Sequence, residues 1–178
     1  MMTQDFLPLA EQLGLRMQQL GWYLVLAESC TGGGIAQAVS DVPGSSAWFD
    51  RGFVTYSNAS KIEILGVQPS TLNQHGAVSE ETALEMVNGA LSHSHAALAL
   101  AVTGIAGPTG GSTEKPIGTV FIAWQLRDQP AQCVKKHFAG DRHSVRQQVI
   151  EYCLHQALNI SQNALVTQAS VPADRKTD

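Results

Sequence analysis

The sequence predicts an α/β class protein, a single-domain α/β/α layered fold around a mixed, mostly buried β-sheet. Three observations carry that prediction. Short apolar runs alternate with segments of helical apolar spacing, the pattern of strands layered between helices. Two of those runs, Tyr23 to Ala27 and Ala96 to Val102, are apolar throughout, as strands covered on both faces require. The last two runs are joined across Asp128-Gln129-Pro130, a turn too short for a crossover, so they pair antiparallel and make the sheet mixed.

The elements follow in order. Phe6 to Leu20 has apolar residues at helical spacing and stops at Gly21. Tyr23 to Ala27 is the first strand, and a helix follows over Thr31 to Val39, ending before Pro43-Gly44. Phe49 to Tyr56 alternates as a strand, with Ser57-Asn58 capping a short helix that runs to Leu65 and is stopped by Gly66. Ser79 is an N-cap with Glu80 and Glu81 in the first turn of a helix reaching about His93. Ala96 to Val102 is the third strand, and a glycine-rich loop from Thr103 to Pro116 follows it. Gly118 to Leu126 and Gln132 to Phe138 form the hairpin, and a last helix covers Arg142 to Ile160. The expected division is one domain over residues 1–162 and a polar, disordered tail over 163–178.

Composition excludes several classes of function. With 178 residues, 44% hydrophobic and 15% charged, the chain fits one well-filled globular domain. A net charge of -4, without a basic stripe, argues against nucleic acid as a partner. No run approaches the roughly 20 apolar residues of a membrane span. Met1-Met2-Thr3-Gln4-Asp5 has no basic segment leading into an apolar stretch, so no secretory signal is expected. Cys30, Cys133 and Cys153 are odd in number and widely spaced, which fits reduced thiols in a cytoplasmic protein. His93-Ser94-His95 lacks a companion carboxylate, and neither a metal nor a cofactor is expected.

The chemistry concentrates where strands end in glycine turns. Leu24 to Ala27 leads into Glu28-Ser29-Cys30-Thr31-Gly32-Gly33-Gly34 and then an apolar helix. Such a bend exposes a side chain beside converging backbone N–H groups, which can hold an anion or the oxyanion of an acyl transfer. Ser29 and Cys30 are the rival nucleophiles there. The alternative for Ser29 is a hydroxyl that satisfies the turn, and for Glu28 a structural hydrogen bond to a neighbouring loop. Thr103 to Pro116 ends another buried strand, so the two loops can face one crevice. Tyr56-Ser57-Asn58-Ala59-Ser60-Lys61 and Phe138-Ala139-Gly140-Asp141-Arg142 complete the set, with Lys61 and Arg142 otherwise ordinary surface cations.

Together these segments, with Gly76-Ala77-Val78-Ser79 and Lys115-Pro116-Ile117-Gly118-Thr119-Val120, resemble the CinA C-terminal domain family. The resemblance covers about residues 5 to 160 and matches several ordered motifs. Catalytic members of that family are nicotinamide-nucleotide amidases. The resemblance therefore implies hydrolysis of the carboxamide of nicotinamide mononucleotide to nicotinate mononucleotide and ammonia, in pyridine nucleotide salvage. It also implies a homodimer and the stand-alone form of a domain that often follows another. Two other readings stand beside it: a catalytically inactive module that binds pyridine nucleotides, and an interaction protein associated with competence or DNA damage.

No histidine lies in the glycine loops, so a serine–histidine–acid triad is not expected, and the base falls to lysine. In this reading Ser29 is the nucleophile, Lys61 the base, and Tyr56 a proton relay or the residue that orients Lys61. Backbone N–H groups of Cys30, Thr31, Gly32 and Gly33 hold the oxyanion, and Asn58 binds ribose or carboxamide. Thr103, Gly104, Gly107, Gly110 and Gly111 line the loop that meets the substrate, and Arg142 pairs with its phosphate.

Overall fold

The computed structural model describes residues 5–170. Five strands form one sheet in the order β2-β1-β3-β4-β5: β1 (Leu24–Glu28), β2 (Phe49–Val54), β3 (Leu98–Gly104), β4 (Thr119–Leu126) and β5 (Gln132–His137). β1 lies parallel to both β2 and β3, whereas β4 and β5 add on antiparallel, so the sheet is mixed as expected. Helices α1 (Leu7–Leu20), α2 (Gly34–Ser40) and α6 (Arg142–Ser170) cover one face. Helices α3 (Asn58–Leu65), α4 (Pro69–His75) and α5 (Glu80–Ser92) cover the other.

The two cores follow from strand alternation. Leu24, Leu26, Leu98, Leu100, Val120 and Ile122 point to the α1–α2–α6 side. Val25 and the small Ala27, Ala99, Ala101 and Ala123 point to the other side and leave room for α5. Each fully buried aliphatic side chain contributes about 1.5–3 kcal/mol. Close approach is built in as well: a Cβ on Gly89 of α5 would fall 2.0 Å from the Leu65 carbonyl oxygen at the end of α3.

The structure differs most from expectation at three places. α2 begins at Gly34, three residues late, because Gly32 (φ +60) and Gly33 (φ +92) hold a left-handed turn that helical backbone cannot contain. α4 was not expected: its sequence PSTLNQH shows no apolar period, and Leu72 is its single buried side chain. α6 runs on to Ser170, past both Ile160 and the expected domain end at 162, since no glycine or proline interrupts residues 142–170. Residues 163–170 of the expected tail are thus helical, and 171–178 lie outside the described residues.

This topology positions the site. The connection leaving β1 goes through α2 to β2 on one side, and β3 flanks β1 on the other, so three parallel strands end together at a switch point. Hydrogen bonds just past the strand ends fix the next residues: Thr55 N–H donates to Glu28 O at 2.8 Å, and Ser29 N–H to Val102 O at 3.0 Å.

Candidate active site

Ser29 leaves β1 with its backbone still bonded to β3, and its side chain meets Lys61 from α3. Lys61 Nζ lies 3.0 Å from Ser29 Oγ and donates at 2.8 Å to the carbonyl oxygen of Thr55. Lys61 reaches this depth because Ser57 starts α3 with a reciprocal capping box to Ser60, which fixes the helix's first turn beside the end of β2. Lys61 is 1% exposed and Ser29 8%. No carboxylate among the described residues pairs with Lys61. Burial without a counter-ion lowers its pKa below the usual 10.5. A lysine expected on a surface is instead a desolvated amine against a hydroxyl.

Cys30 is buried beside Ser29, and burial pushes its thiol pKa up to about 12. It is a protonated thiol at neutral pH, unlike an activated nucleophile.

Glu28, whose role was open, caps α2 from inside. Its Oε2 accepts from Thr31 Oγ1 (2.6 Å), Gly33 N–H (3.1 Å) and Ile35 N–H (3.0 Å), and its Oε1 from Ala36 N–H (2.7 Å). Gly32 N–H donates to Ser29 O at 3.0 Å. The expectation of four free amides over Cys30 to Gly33 is corrected here: Gly32 and Gly33 are already bonded. The N–H groups of Cys30 and Thr31 have no hydrogen-bond partner among the described residues.

A cavity of about 190 Å³ opens onto this pair, lined by Ser29, Cys30, Tyr56, Lys61, Ala77, Val78, Thr103, Gly104, Ala106 and Arg142. Ser29, Lys61, Tyr56, Cys30, Thr103, Gly104 and Arg142 are thus brought together as expected. Thr103 donates its hydroxyl to Ala77 O at 2.6 Å, across the cavity wall. A Cβ on Gly104 would fall 2.7 Å from Thr119 O, so that glycine serves a close strand approach. Arg142 donates to Tyr56 Oη at 2.7 Å and to Gly107 O at 2.9 Å. Thr31, Gly32, Gly33, Asn58, Gly107, Gly110 and Gly111 lie outside the lining, with Asn58 exposed at the first position of α3. Ala77 and Val78 had not been assigned a role, although the Gly76-Ala77-Val78-Ser79 motif contains them. Arg146, which donates to Thr31 O at 2.6 Å, was missed because nothing in a helical stretch marks which arginine turns inward. Larger cavities of about 510, 530 and 300 Å³ lie elsewhere and are lined by neither Ser29 nor Lys61.

Fold and site define the class first: a three-layer α/β protein with a buried serine–lysine pair at the carboxyl ends of its parallel strands. The profile of the CinA C-terminal domain family matches residues 7–161, and the chain belongs to that family. It is 52% identical over 150 residues to the nicotinamide-nucleotide amidohydrolase PncC of Enterobacter agglomerans, covering 84% of this chain and 92% of that protein. Against the nicotinamide-nucleotide amidohydrolase PncC of Escherichia coli K12, identity is 47% over 154 residues, covering 86% and 93% of the two chains. The crystal structure of competence/damage inducible protein CihA from Agrobacterium tumefaciens superposes with a TM-score of 0.84 at 44% identity, covering 89% of this chain and 98% of that one. No helix among the described residues is long and apolar enough to cross a membrane.

Proposed function

We propose that this protein hydrolyses the carboxamide of nicotinamide mononucleotide, releasing ammonia and nicotinate mononucleotide, with Ser29 as nucleophile and Lys61 as base. The observation that carries the reading is the 3.0 Å approach of a buried, unpaired Lys61 to Ser29 Oγ. The names of the relatives support the substrate.

An amide needs an activated nucleophile, a stabilised oxyanion and a proton for its departing nitrogen. Neutral Lys61 accepts the Ser29 hydroxyl proton along the Nζ–Oγ contact as Oγ attacks the carboxamide carbon. The Cys30 N–H, on the cavity lining, receives the resulting oxyanion. Lys61, now an ammonium, returns the proton to nitrogen, the C–N bond breaks, and ammonia leaves an ester on Ser29. Water then attacks that ester with Lys61 again as base, restoring Ser29 and releasing the carboxylate. The substrate's pyridinium, close to the reacting carbon, disfavours the charged form of Lys61 further.

Arg142 is the rim cation for the phosphate: Tyr56 and Gly107 engage two of its five N–H donors, and others remain. Asn58 and the loop through Gly110 and Gly111 complete the substrate's surroundings outside the cavity. The enzyme works in the cytoplasm as the homodimer its family resemblance implies, without nucleic acid or membrane. Incubation with nicotinamide mononucleotide tests the reading. Stoichiometric ammonia and nicotinate mononucleotide support it, and intact substrate after prolonged incubation rejects it.

A further inference from the structure

Thr31 is held at two of its polar atoms by opposite charges from different parts of the chain. Its hydroxyl donates to Glu28 Oε2 at 2.6 Å, and its carbonyl accepts from Arg146 Nη2 at 2.6 Å and from Gly34 N–H at 3.2 Å. The residue is fully buried, and only its N–H stays without a partner among the described residues. Arg146 comes from α6, 115 residues away, one turn beyond Arg142 at the cavity rim. It presses close to the turn: a Cβ on Gly32 would lie 3.6 Å from its Nη2. Arg146 is half-buried, and its Nε is buried without a partner among the described residues, so that face of the guanidinium is committed to the turn.

We infer that Arg146 is a positioning residue for the proposed amidase, clamping the Thr31 carbonyl so that the turn holds the Cys30 amide aimed at the oxyanion. The inference rests on the amidase reading. Backbone freedom at Gly32 and Gly33, with φ of +60 and +92, would let Thr31 shift and carry the amide of the preceding residue with it. Glu28 fixes the turn from the helix side and Arg146 from α6, leaving the Thr31–Gly32 peptide one orientation. Donors held in place before the reaction stabilise an oxyanion because they need no reorganisation when charge develops. Arg146 touches no reacting atom. Its loss therefore weakens the transition state and leaves ground-state substrate binding intact.

The test is steady-state kinetics with nicotinamide mononucleotide on wild type, Arg146→Met and Arg146→Lys, with thermal midpoints recorded for each. The expected result is a kcat lowered about 30- to 100-fold in Arg146→Met with KM within threefold of wild type. Arg146→Lys keeps a donor but not the planar fork, and its kcat falls by about 3- to 10-fold. A folded Met variant with wild-type kcat, or a loss confined to KM, overturns the assignment. If the Met variant does not fold, the Lys variant decides alone: a kcat within twofold of wild type overturns it. A wild-type protein that releases no ammonia rejects the amidase reading and this inference with it, a result distinct from an active wild type indifferent to position 146.

Discussion

Arg142 and Tyr56, 86 residues apart, are joined by a 2.7 Å hydrogen bond across the mouth of the cavity. The same guanidinium donates to Gly107 O, so one side chain ties α6 to the loops after β2 and β3. Tyr56 is 58% exposed, and its hydroxyl makes no hydrogen bond to Lys61 among the described residues. The pairing gives Tyr56 a place in shaping the rim and leaves Lys61 to Ser29 and Thr55.

Tyr56→Phe removes the acceptor and frees Arg142 to swing, so KM is expected to rise about 3- to 10-fold with kcat within threefold. Arg142→Ala removes both rim bonds and the cation, and KM is expected to rise at least about tenfold. Substrate titrations of the two variants check this. A kcat loss beyond about 100-fold in Tyr56→Phe shows instead that the phenol moves a proton.

Ser29→Ala is expected to lower kcat by at least about 10³, the scale of nucleophile loss in serine hydrolases. Cys30→Ala is expected to keep kcat within about fivefold. With its thiol pKa at about 12, Cys30 holds almost no thiolate at pH 7. A thiol reagent at neutral pH is therefore expected to leave Cys30 unmodified in the folded protein, read by mass spectrometry. Inactivation coupled to modification of Cys30 points to the thiol as nucleophile.

Much of the fold was legible because the central strands announce themselves through burial. Leu24 to Ala27 and Ala96 to Val102 are apolar on both faces, and only strands sandwiched between helices bury them that way. The α3 start was readable from Ser57, whose capping chemistry is local. α4 was not readable, since one buried leucine makes no period. The site divides along the same line. Ser29 is marked by its glycine turn, but the depth of Lys61 depends on where α3 docks, which is a tertiary fact. Glu28 beside Ser29 gave no local sign that its carboxylate would take the Gly33 amide, one of those expected to face substrate. Side chains that reach across the fold, Arg146 to Thr31 and Arg142 to Tyr56, leave no trace in spacing.

As the proposed base and as a buried amine, Lys61 is expected to set the pH dependence of both activity and stability. For activity, the base works only when neutral, so kcat/KM is expected to climb with pH along a limb whose midpoint lies below 10.5. Lys61→Arg places a permanent cation there and is expected to be inactive, by about 10³ or more. For stability, the folded-state pKa is below the unfolded value of 10.5, so between the two the unfolded chain holds a proton the folded chain has released. Stability then rises with pH through that window, and the penalty is complete below the folded pKa. Wild type is expected to gain on Lys61→Met as pH is raised from 7 to 10, in parallel urea titrations. Comparing the change with pH cancels the constant effect of leaving Thr55 O without its donor. Parallel curves with no pH-dependent difference rule out a depressed Lys61.

Glu28→Gln tests the internal cap that holds the nucleophile turn. This one carboxylate accepts four hydrogen bonds, from the Thr31 hydroxyl and three backbone N–H groups, three of the four on Oε2. A glutamine can keep the three on its single oxygen only by pointing its NH₂ at the Ala36 N–H, and the opposite orientation sets the NH₂ against three donors. Either way at least one buried donor loses its acceptor, at a cost of about 1–3 kcal/mol. For a chain of this length each kcal/mol lowers Tm by about 2–4 °C, so a drop of several degrees is expected by calorimetry. Activity falls as well, because the residue before Ser29 no longer anchors the turn that carries it. Glu28→Ala leaves all four donors without a partner and is expected to lose more stability than Glu28→Gln. That ordering distinguishes a cap from a catalytic carboxylate: an acid or base in the reaction would lose activity equally in both variants while leaving Tm near wild type.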